Sequence, residues 1–221
     1  MNQRNLFVLT LYLLCVAYVF YKMVQDVDEY VAVELDKEAL DAELEARNLK
    51  DILEITFDVP NRIKPPKFEK IPIKIVNKSE QDTFLVDWER STISDQDGVS
   101  QRLIRSSIPG MRIDLSQGQI TRVIAPGQIL KEEVTSEKSL EGVPGESLAI
   151  AKPLFDPKKM QAATAEKPIK FSILLIIQQT GLLDSMGQGR LHPINCRFTI
   201  KSPPWYKSLG WKSKDKKKKK K

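Results

Sequence analysis

Residues 71–89 read IPIKIVNKSEQDTFLVDWE, and this stretch decides the expected fold. Isoleucines alternate with other residues over 71–75, and apolar residues alternate again over 84–88. A period of two is typical of strands with one buried face, and the polar residues 77–82 between the two runs indicate a turn. The stretch therefore predicts two β-strands with a turn between them.

Runs of the same kind continue towards residue 201, separated by turn signals rich in proline, glycine, asparagine and aspartate. Residues 171–177, FSILLII, suit a central strand buried on both faces. About seven or eight short strands at this spacing predict a mainly β domain over residues 70–202. The expected architecture is an immunoglobulin-like antiparallel β-sandwich, with Trp88 in its core. Cys196 is the domain's single cysteine, so no disulfide supports the fold.

The N-terminus contains the longest apolar run of the chain. Residues 6–21, LFVLTLYLLCVAYVFY, carry no charge. Counted past Lys22, which can snorkel, the run reaches about nineteen residues, close to the roughly 20 that span a bilayer. No small-residue cleavage site follows, so we expect an uncleaved single-pass transmembrane anchor over residues 1–25. The residues assigned to it are Leu6, Phe7, Leu9, Leu11, Leu13, Leu14, Val16, Val19 and Phe20.

Charges beside the anchor indicate its orientation. Arg4 and the α-amino group precede the run, whereas Lys22 follows it and is itself followed by three acids. Positive residues stay on the cytoplasmic side of a membrane. We therefore expect a single-pass membrane protein whose domain lies on the periplasmic or luminal side.

An acidic segment follows the anchor. Residues 26–54 carry eleven acids against three bases and contain neither glycine nor proline. Asp36 can cap a helix, and the leucines after it make only a narrow apolar stripe. We expect residues 26–56 to form an acidic helical stalk, with a dimerising coiled coil as the alternative, and residues 57–69 to form a proline-containing linker.

The C-terminal residues 203–221 form an aromatic and lysine-rich tail. Residues 212–221 hold eight lysines and one acid, a net charge of +7. Since the whole chain has a net charge of +6, the rest carries −1, and a uniformly basic nucleic-acid surface is not implied. Tryptophan and tyrosine beside lysine fit a membrane surface, with each lysine contributing about 1 kcal/mol against an anionic leaflet. The expected contacts are Trp205, Tyr206, Trp211, Lys212, Lys214, Lys216, Lys217 and Lys218. A solvated tail, or a tail bound to the acidic stalk or to an acidic partner protein, remains an alternative.

Residues able to do chemistry are sparse, with one histidine and two cysteines in the chain. His192 and Cys196 lack further metal ligands and are interpreted as a loop histidine and a core cysteine. Four acids between residues 87 and 97 could gather round a hard cation, but we prefer to interpret them as surface turn residues. A Gly-x-Ser-x-Gly nucleophile elbow is absent from the sequence. We expect no enzyme, no catalytic residue, no cofactor, no metal ion and no small-molecule substrate.

Short motifs in the domain are shared with a known family. They are Asn77-Lys78-Ser79, Val86-Asp87-Trp88, Ser91-Thr92, residues 95–98 and Ala125-Pro126-Gly127. Over residues 70–201 the pattern resembles bacterial, especially cyanobacterial, membrane-anchored or lipoprotein-like β-sandwich proteins to which no activity is assigned. The resemblance implies a bacterial envelope or thylakoid membrane and carries over no catalytic residue. Asn77-Lys78-Ser79 is also a glycosylation sequon, which matters only in a eukaryotic secretory setting.

Together these features predict a membrane-anchored, non-catalytic binding or scaffolding module that acts with a membrane complex or an envelope component. The alternative is an electrostatic membrane tether whose lysine-rich tail binds anionic lipid or nucleic acid. The expected partners are membrane lipid and a protein of unknown identity, whereas nucleic acid is not the expected partner.

Overall fold

The computed structural model describes residues 3–28, 30–60, 62–106, 118–142, 148–164, 166–181 and 189–202. Three α-helices are described: α1 (Gln3–Asp28), α2 (Lys37–Ala46) and α3 (Pro157–Gln161). The strands are β1 (Ala32–Leu35), β2 (Leu53–Phe57), β3 (Ile71–Asn77), β4 (Thr83–Ser94), β5 (Ser100–Arg105), β6 (Arg122–Ile124), β7 (Ile129–Ser136), β8 (Leu140–Glu141), β9 (Ala149–Ile150), β10 (Ile169–Thr180) and β11 (Arg190–Lys201). Short 3-10 helices cover Pro65–Lys67 and Glu137–Ser139. The prediction of a mainly β protein with an N-terminal apolar helix is confirmed.

One antiparallel sheet contains nine of these strands. Its order is β1-β11-β10-β4-β5-β7-β3-β2, and β6 pairs with β4 beside β5. The apolar strand β10 lies between β11 and β4, as its sequence led us to expect. The two strands at 71–77 and 83–94 exist, but they pair with other strands and not with each other.

The sheet curls until its two ends approach each other. At one point they meet, where Val31 and Ile63 exchange two backbone hydrogen bonds of 2.9 Å. A register shift between β4 and β10, at Leu174/Ile176, helps the sheet to bend, because an irregular ladder increases local twist. The result is a nearly closed barrel, and the expected immunoglobulin-like sandwich is not confirmed.

Aromatic rings run through the interior of the barrel. Phe198 stacks on Phe171 with centroids 4.7 Å apart and meets the edge of Phe57 at 4.9 Å. Phe155 continues the series beside Phe171 at 4.6 Å. Trp88 on β4 is fully buried, which confirms its expected place in the core.

The acidic segment does not form a solvated stalk. Residues 26–28 are the end of α1, ten further residues form helix α2, and β1 and β2 on either side of α2 are strands of the barrel. β1 extends the sheet next to β11, while Leu40 and Leu44 of α2 are buried in the common core. The narrow leucine stripe suffices because α2 covers a gap at the sheet edge instead of forming a core alone. Asp36 does cap α2, accepting a hydrogen bond from the Ala39 N–H at 3.0 Å.

Residues 57–69 are also part of the domain and do not act as a free linker. Ile63 pairs with Val31, and Phe68 is buried with its carbonyl accepting from the Leu154 N–H at 2.7 Å. The prolines Pro65 and Pro66 open the short 3-10 helix. Their fixed φ suits this turn, since proline is favoured where no backbone N–H is needed.

Replacing Leu44 by alanine is expected to lower the free energy of unfolding by about 2–5 kcal/mol, because it removes a buried side chain and leaves a cavity. Chemical denaturation of the full chain in detergent micelles measures the change. Ala42→Ser on the exposed face of α2 is the control and should change stability by less than about 0.5 kcal/mol. Equal, small effects of both substitutions would restore the solvated-stalk interpretation.

Candidate functional site

Over residues 5–22, the apolar helix α1 is not buried against the barrel. Within it, Asn5–Lys22 is long and apolar enough to cross a membrane, and none of this window is buried against the barrel. All nine residues assigned to the anchor lie in the window. The Thr10 hydroxyl donates to the Leu6 carbonyl at 2.9 Å, so this polar group is satisfied inside the helix. By length and composition this segment is able to cross a membrane.

A short connection ties this helix to the barrel. Only Glu29 separates Asp28, the end of α1, from Tyr30. The Tyr30 ring lies 4.5 Å from the Arg62 guanidinium and 5.2 Å from the Lys64 ammonium, and the next residue, Val31, pairs with Ile63. The barrel is therefore held within a few residues of the anchor.

Within the described residues, the barrel leaves a gap where its two end strands, β1 and β2, do not pair. Beyond the Val31–Ile63 bridge, each of these two strands has a neighbouring strand on one side only among the described residues. Helix α2 lies across one end of the gap. Between these three elements is a cleft of about 670 Å³, which we call the seam cleft.

The seam cleft has an apolar floor. Phe198 and Leu53 are fully buried at its base, and Leu35, Phe57 and Val59 are partly exposed within it. Unpaired backbone groups of two strand edges thus lie beside apolar side chains. An extended peptide needs this combination for binding, because main-chain hydrogen bonds give affinity and pockets accept alternate side chains.

Charged residues surround the floor: Glu34, Lys37, Asp41, Lys50, Glu54, Asp58 and Lys78. Two of the acids are paired, Glu34 with Lys201 at 2.5 Å and Glu54 with Lys78 at 2.6 Å. The hydrogen bond from Lys78 lowers the pKa of Glu54 below its ordinary value. Asp41 and Asp58 are exposed and form no ion pair with any residue in the described part of the chain.

Sequence reasoning missed the seam cleft because its residues were assigned to a stalk and a linker. A signal was present, since apolar residues alternate with polar ones from Leu53 to Val59, and the larger apolar residues Val31, Val33 and Leu35 alternate with Ala32 and Glu34. Each run is short and lies beside strong helix formers, so the period of two was hard to separate from helical spacing.

The four acids considered for a cation are each engaged by protein groups. Asp87 pairs with Arg90 at 2.6 Å, Glu89 with Arg102, and Asp97 with Lys159 at 2.6 Å. The Asp95 carboxylate accepts hydrogen bonds from the Asp97 and Val99 N–H groups, both at 2.9 Å, and so holds a turn. Within the described ranges, no three His, Cys, Asp or Glu residues are grouped to hold a metal ion.

His192 and Cys196 lie on the inward face of β11. Cys196 is fully buried, as expected of a core cysteine, and burial raises the pKa of its thiol. His192 is not in a loop: it is a buried strand residue whose Nε2 lies 3.1 Å from Gln179 Oε1. Burial, followed by the positive charges of Arg47 and Arg190, lowers the pKa of His192 below its ordinary value of 6.5.

This histidine predicts a pH dependence of stability. Because the folded pKa is lowered, the unfolded chain takes up the proton first, and stability present above about pH 6.5 falls as the pH falls below it. His192→Gln should flatten the change in urea midpoint between neutral and mildly acidic solution. His192 is the chain's single histidine, so an unchanged slope in this variant would contradict the assignment directly.

The motif residues that carry the family resemblance have structural roles. Asn77 is buried, and its amide donates to the Asp82 carbonyl at 2.8 Å and the Ile124 carbonyl at 3.0 Å. It is therefore not exposed as a glycosylation acceptor. The buried Ser91 hydroxyl donates to the Asp87 carbonyl and accepts from the Ile176 N–H at 3.1 Å, which satisfies the backbone at the register shift. Gly98 adopts a φ of 77°, a left-handed turn conformation that glycine favours.

The predicted membrane-surface residues, Trp205 to Lys218, lie outside the described residues. The structure does show where their segment leaves the barrel. Lys201, at the end of β11, stands opposite Ala32 at the start of β1. The tail therefore begins at the end of the domain to which the anchor is attached.

Comparisons with protein-family models, with curated proteins and with solved structures find no match for this chain. The geometry of the seam cleft, the exposed apolar helix and the origin of the tail beside Ala32 are therefore the observations on which function is argued.

Proposed function

We propose that the protein is a single-pass membrane-anchored, non-catalytic module that binds a segment of a partner protein at the seam cleft. The observation that carries the proposal is the pair of unpaired strand edges, β1 and β2, on either side of an apolar floor. The expected partner belongs to a membrane complex or is an envelope component, because the barrel is held within a few residues of the anchor.

The free edges of β1 and β2 are unusual, because most proteins protect the edges of their sheets. An unpaired edge offers a row of N–H and C=O groups to any extended chain, and most proteins cover or shorten such edges. Here the edge of β11 is covered by β1 and then by α2, whose Glu43 carboxylate accepts from the Asn195 N–H at 3.3 Å. Apart from α2 at one end of the gap, the free sides of β1 and β2 have no such cover among the described residues, so an added strand could pair with them.

The side of the membrane is part of the same proposal. The charges beside the anchor favour a periplasmic or luminal domain, and the motif resemblance favours a bacterial envelope or thylakoid membrane. A partner would accordingly be sought among proteins exposed on that side.

Site-specific photo-cross-linking in native membranes tests the proposal. A photoreactive amino acid is placed at Lys37 or Asp41 on the rim, and at Val123 on β6 as a matched exposed control. We expect one discrete adduct of higher mass from both rim positions and none from the control. Adducts from the control alone, or from no position in correctly inserted protein, would argue against a partner at the cleft.

A second function, the electrostatic membrane tether, is favoured by one observation of its own. Because Lys201 stands opposite Ala32, the lysine-rich tail starts within a few residues of the anchor, and Arg62 and Lys64 lie at the same end. Anionic headgroups would then be within reach of the tail.

Quenching of tail tryptophans by headgroup-labelled lipid tests the tether. In nanodiscs that contain phosphatidylglycerol we expect strong quenching that falls steeply with added salt and disappears on deletion of residues 212–221. Trp88 is fully buried in the barrel and supplies a constant background. Equal quenching in phosphatidylcholine nanodiscs would show that lipid charge has no role.

A further inference from the structure

The end of β11 lies on the rim of the seam cleft. Phe198 forms part of the cleft floor, and three residues later Lys201 places its ammonium 2.5 Å from the carboxylate of Glu34, a rim residue. The chain therefore leaves the barrel with its last described lysine already paired to an acid of the cleft. Nineteen more residues, 203–221, follow Ser202.

The charges of the two segments are complementary. Residues 34–58, which supply most of the cleft and the surface of α2, contain nine acids and three bases, a net charge of −6. Residues 203–221 contain nine lysines and one acid, a net charge of +8. Asp41 and Asp58 are exposed on the rim without an ion-pair partner among the described residues. Opposite potentials of this size favour contact between the two surfaces.

The apolar parts also match. The first half of the tail contains Trp205, Tyr206, Leu209 and Trp211, and the lysine run follows it. Aromatic side chains bury large areas at binding sites and suit the partly exposed floor residues Leu35, Phe57 and Val59. The order along the chain, aromatic residues first and lysines afterwards, places the rings nearest the exit from β11.

The tail is long enough to cover the cleft. Fully extended, 19 residues span up to roughly 60 Å, whereas α2 from Lys37 to Leu44 measures only about 12 Å. Since Lys201 is already on the rim, no barrel element has to move for the tail to reach the floor.

We infer that residues 203–221 dock in the seam cleft of their own chain, with the aromatic residues on the apolar floor and the lysines against the acidic rim and α2. The docked tail covers the free edges of β1 and β2 until a partner segment or an anionic membrane competes for it. This goes beyond the proposed partner binding and does not depend on it.

Cross-linking of introduced thiols in the full chain tests the docking. Cys15→Ser removes the exposed thiol, and Cys196 is buried. Asp41→Cys on the rim is combined with Ser208→Cys in the tail, in phosphatidylcholine nanodiscs with one chain each. In the control, Val123→Cys replaces Asp41→Cys. Val123 lies on β6, which pairs with β4, and β4 is three strands away from β1 in the sheet order.

A freely moving tail would also meet the rim, because its first six residues have a root-mean-square reach of about 13 Å. The decisive comparison therefore adds Trp205→Ser and Trp211→Ser, which lie outside the described barrel and leave its core unchanged. We expect the double substitution, or high salt, to slow cross-linking about tenfold. Equal rates with and without the two tryptophans would overturn the inference.

Lipid charge separates docking from tethering. Cross-linking that is fast in phosphatidylcholine nanodiscs and slow in nanodiscs with phosphatidylglycerol supports docking in competition with anionic lipid. Fast cross-linking in both kinds of nanodisc supports docking without the membrane tether. Slow cross-linking in both overturns docking. A mixture of two variants, each carrying one of the two introduced thiols, reports contact between chains. If cross-links form in this mixture but none forms within a chain that carries both thiols, the docking inference is overturned as well. None of these results depends on the higher-mass adduct that tests the proposed partner.

Discussion

Replacing Leu9 and Leu13 by arginine will release the protein from membranes. Both leucines lie in the exposed apolar window of α1. Each arginine near the centre of a membrane-spanning helix costs about 2.5–3.5 kcal/mol of insertion free energy. The native chain should stay in the membrane pellet after alkaline carbonate extraction, whereas the double variant should appear in the supernatant.

Val123→Arg, on the exposed face of β6, is the control for added charge. It should leave the protein in the pellet. If carbonate extracted the native chain, α1 would not span the membrane. The short connection through Tyr30 would then not serve to hold the barrel close to a membrane.

Replacing Phe198 by alanine will destabilise the barrel strongly, by about 3–5 kcal/mol of unfolding free energy. Phe198 is 1% exposed and makes two ring contacts, a stack on Phe171 and an edge contact with Phe57. Its loss removes apolar burial, removes both ring contacts and opens the floor of the seam cleft. Urea denaturation of the full chain in detergent micelles measures the change.

Leu191→Ala on the same strand is the matched control. Leu191 is 49% exposed, so its replacement should change stability by less than about 0.5 kcal/mol. If Phe198→Ala behaved like Leu191→Ala, the aromatic series from Phe57 to Phe155 could not be the centre of the core.

Much of the fold could be predicted from the sequence where periodicity is long and regular. The twelve-residue strand β10 has an apolar stretch that only a central strand or a buried helix can accommodate. Residues typical of strands flank this stretch. The N-terminal apolar helix was predictable for a similar reason, because sixteen uncharged residues in a row favour one apolar helix. Trp88 and Cys196 were placed correctly in the core by their alternation with polar neighbours.

The candidate site was much less predictable. Its floor is built from Leu53 and Phe57, whose alternation is only a few residues long, and from Phe198, which lies some 140 residues away in the chain. Local pattern cannot show that such segments meet, since strand pairing between distant residues is decided by which edges remain free. The same limit explains why an immunoglobulin-like sandwich was expected where one sheet curls on itself: both architectures use short alternating strands.

The sequence by itself determined the N-terminal apolar helix, the mainly β character of the domain and the separation of charge between an acidic segment and a lysine-rich tail. These follow from composition and local period, which act over a few residues. Only the tertiary structure decided that the acidic segment belongs to the barrel, that β1 and β2 leave a cleft between them, and that Lys201 returns beside Ala32 near the anchor. Those features arise from pairing between residues far apart in the chain. Burial of strand residues such as Val33 and Leu53 there outweighs the helical and solvated character that the segment would have alone.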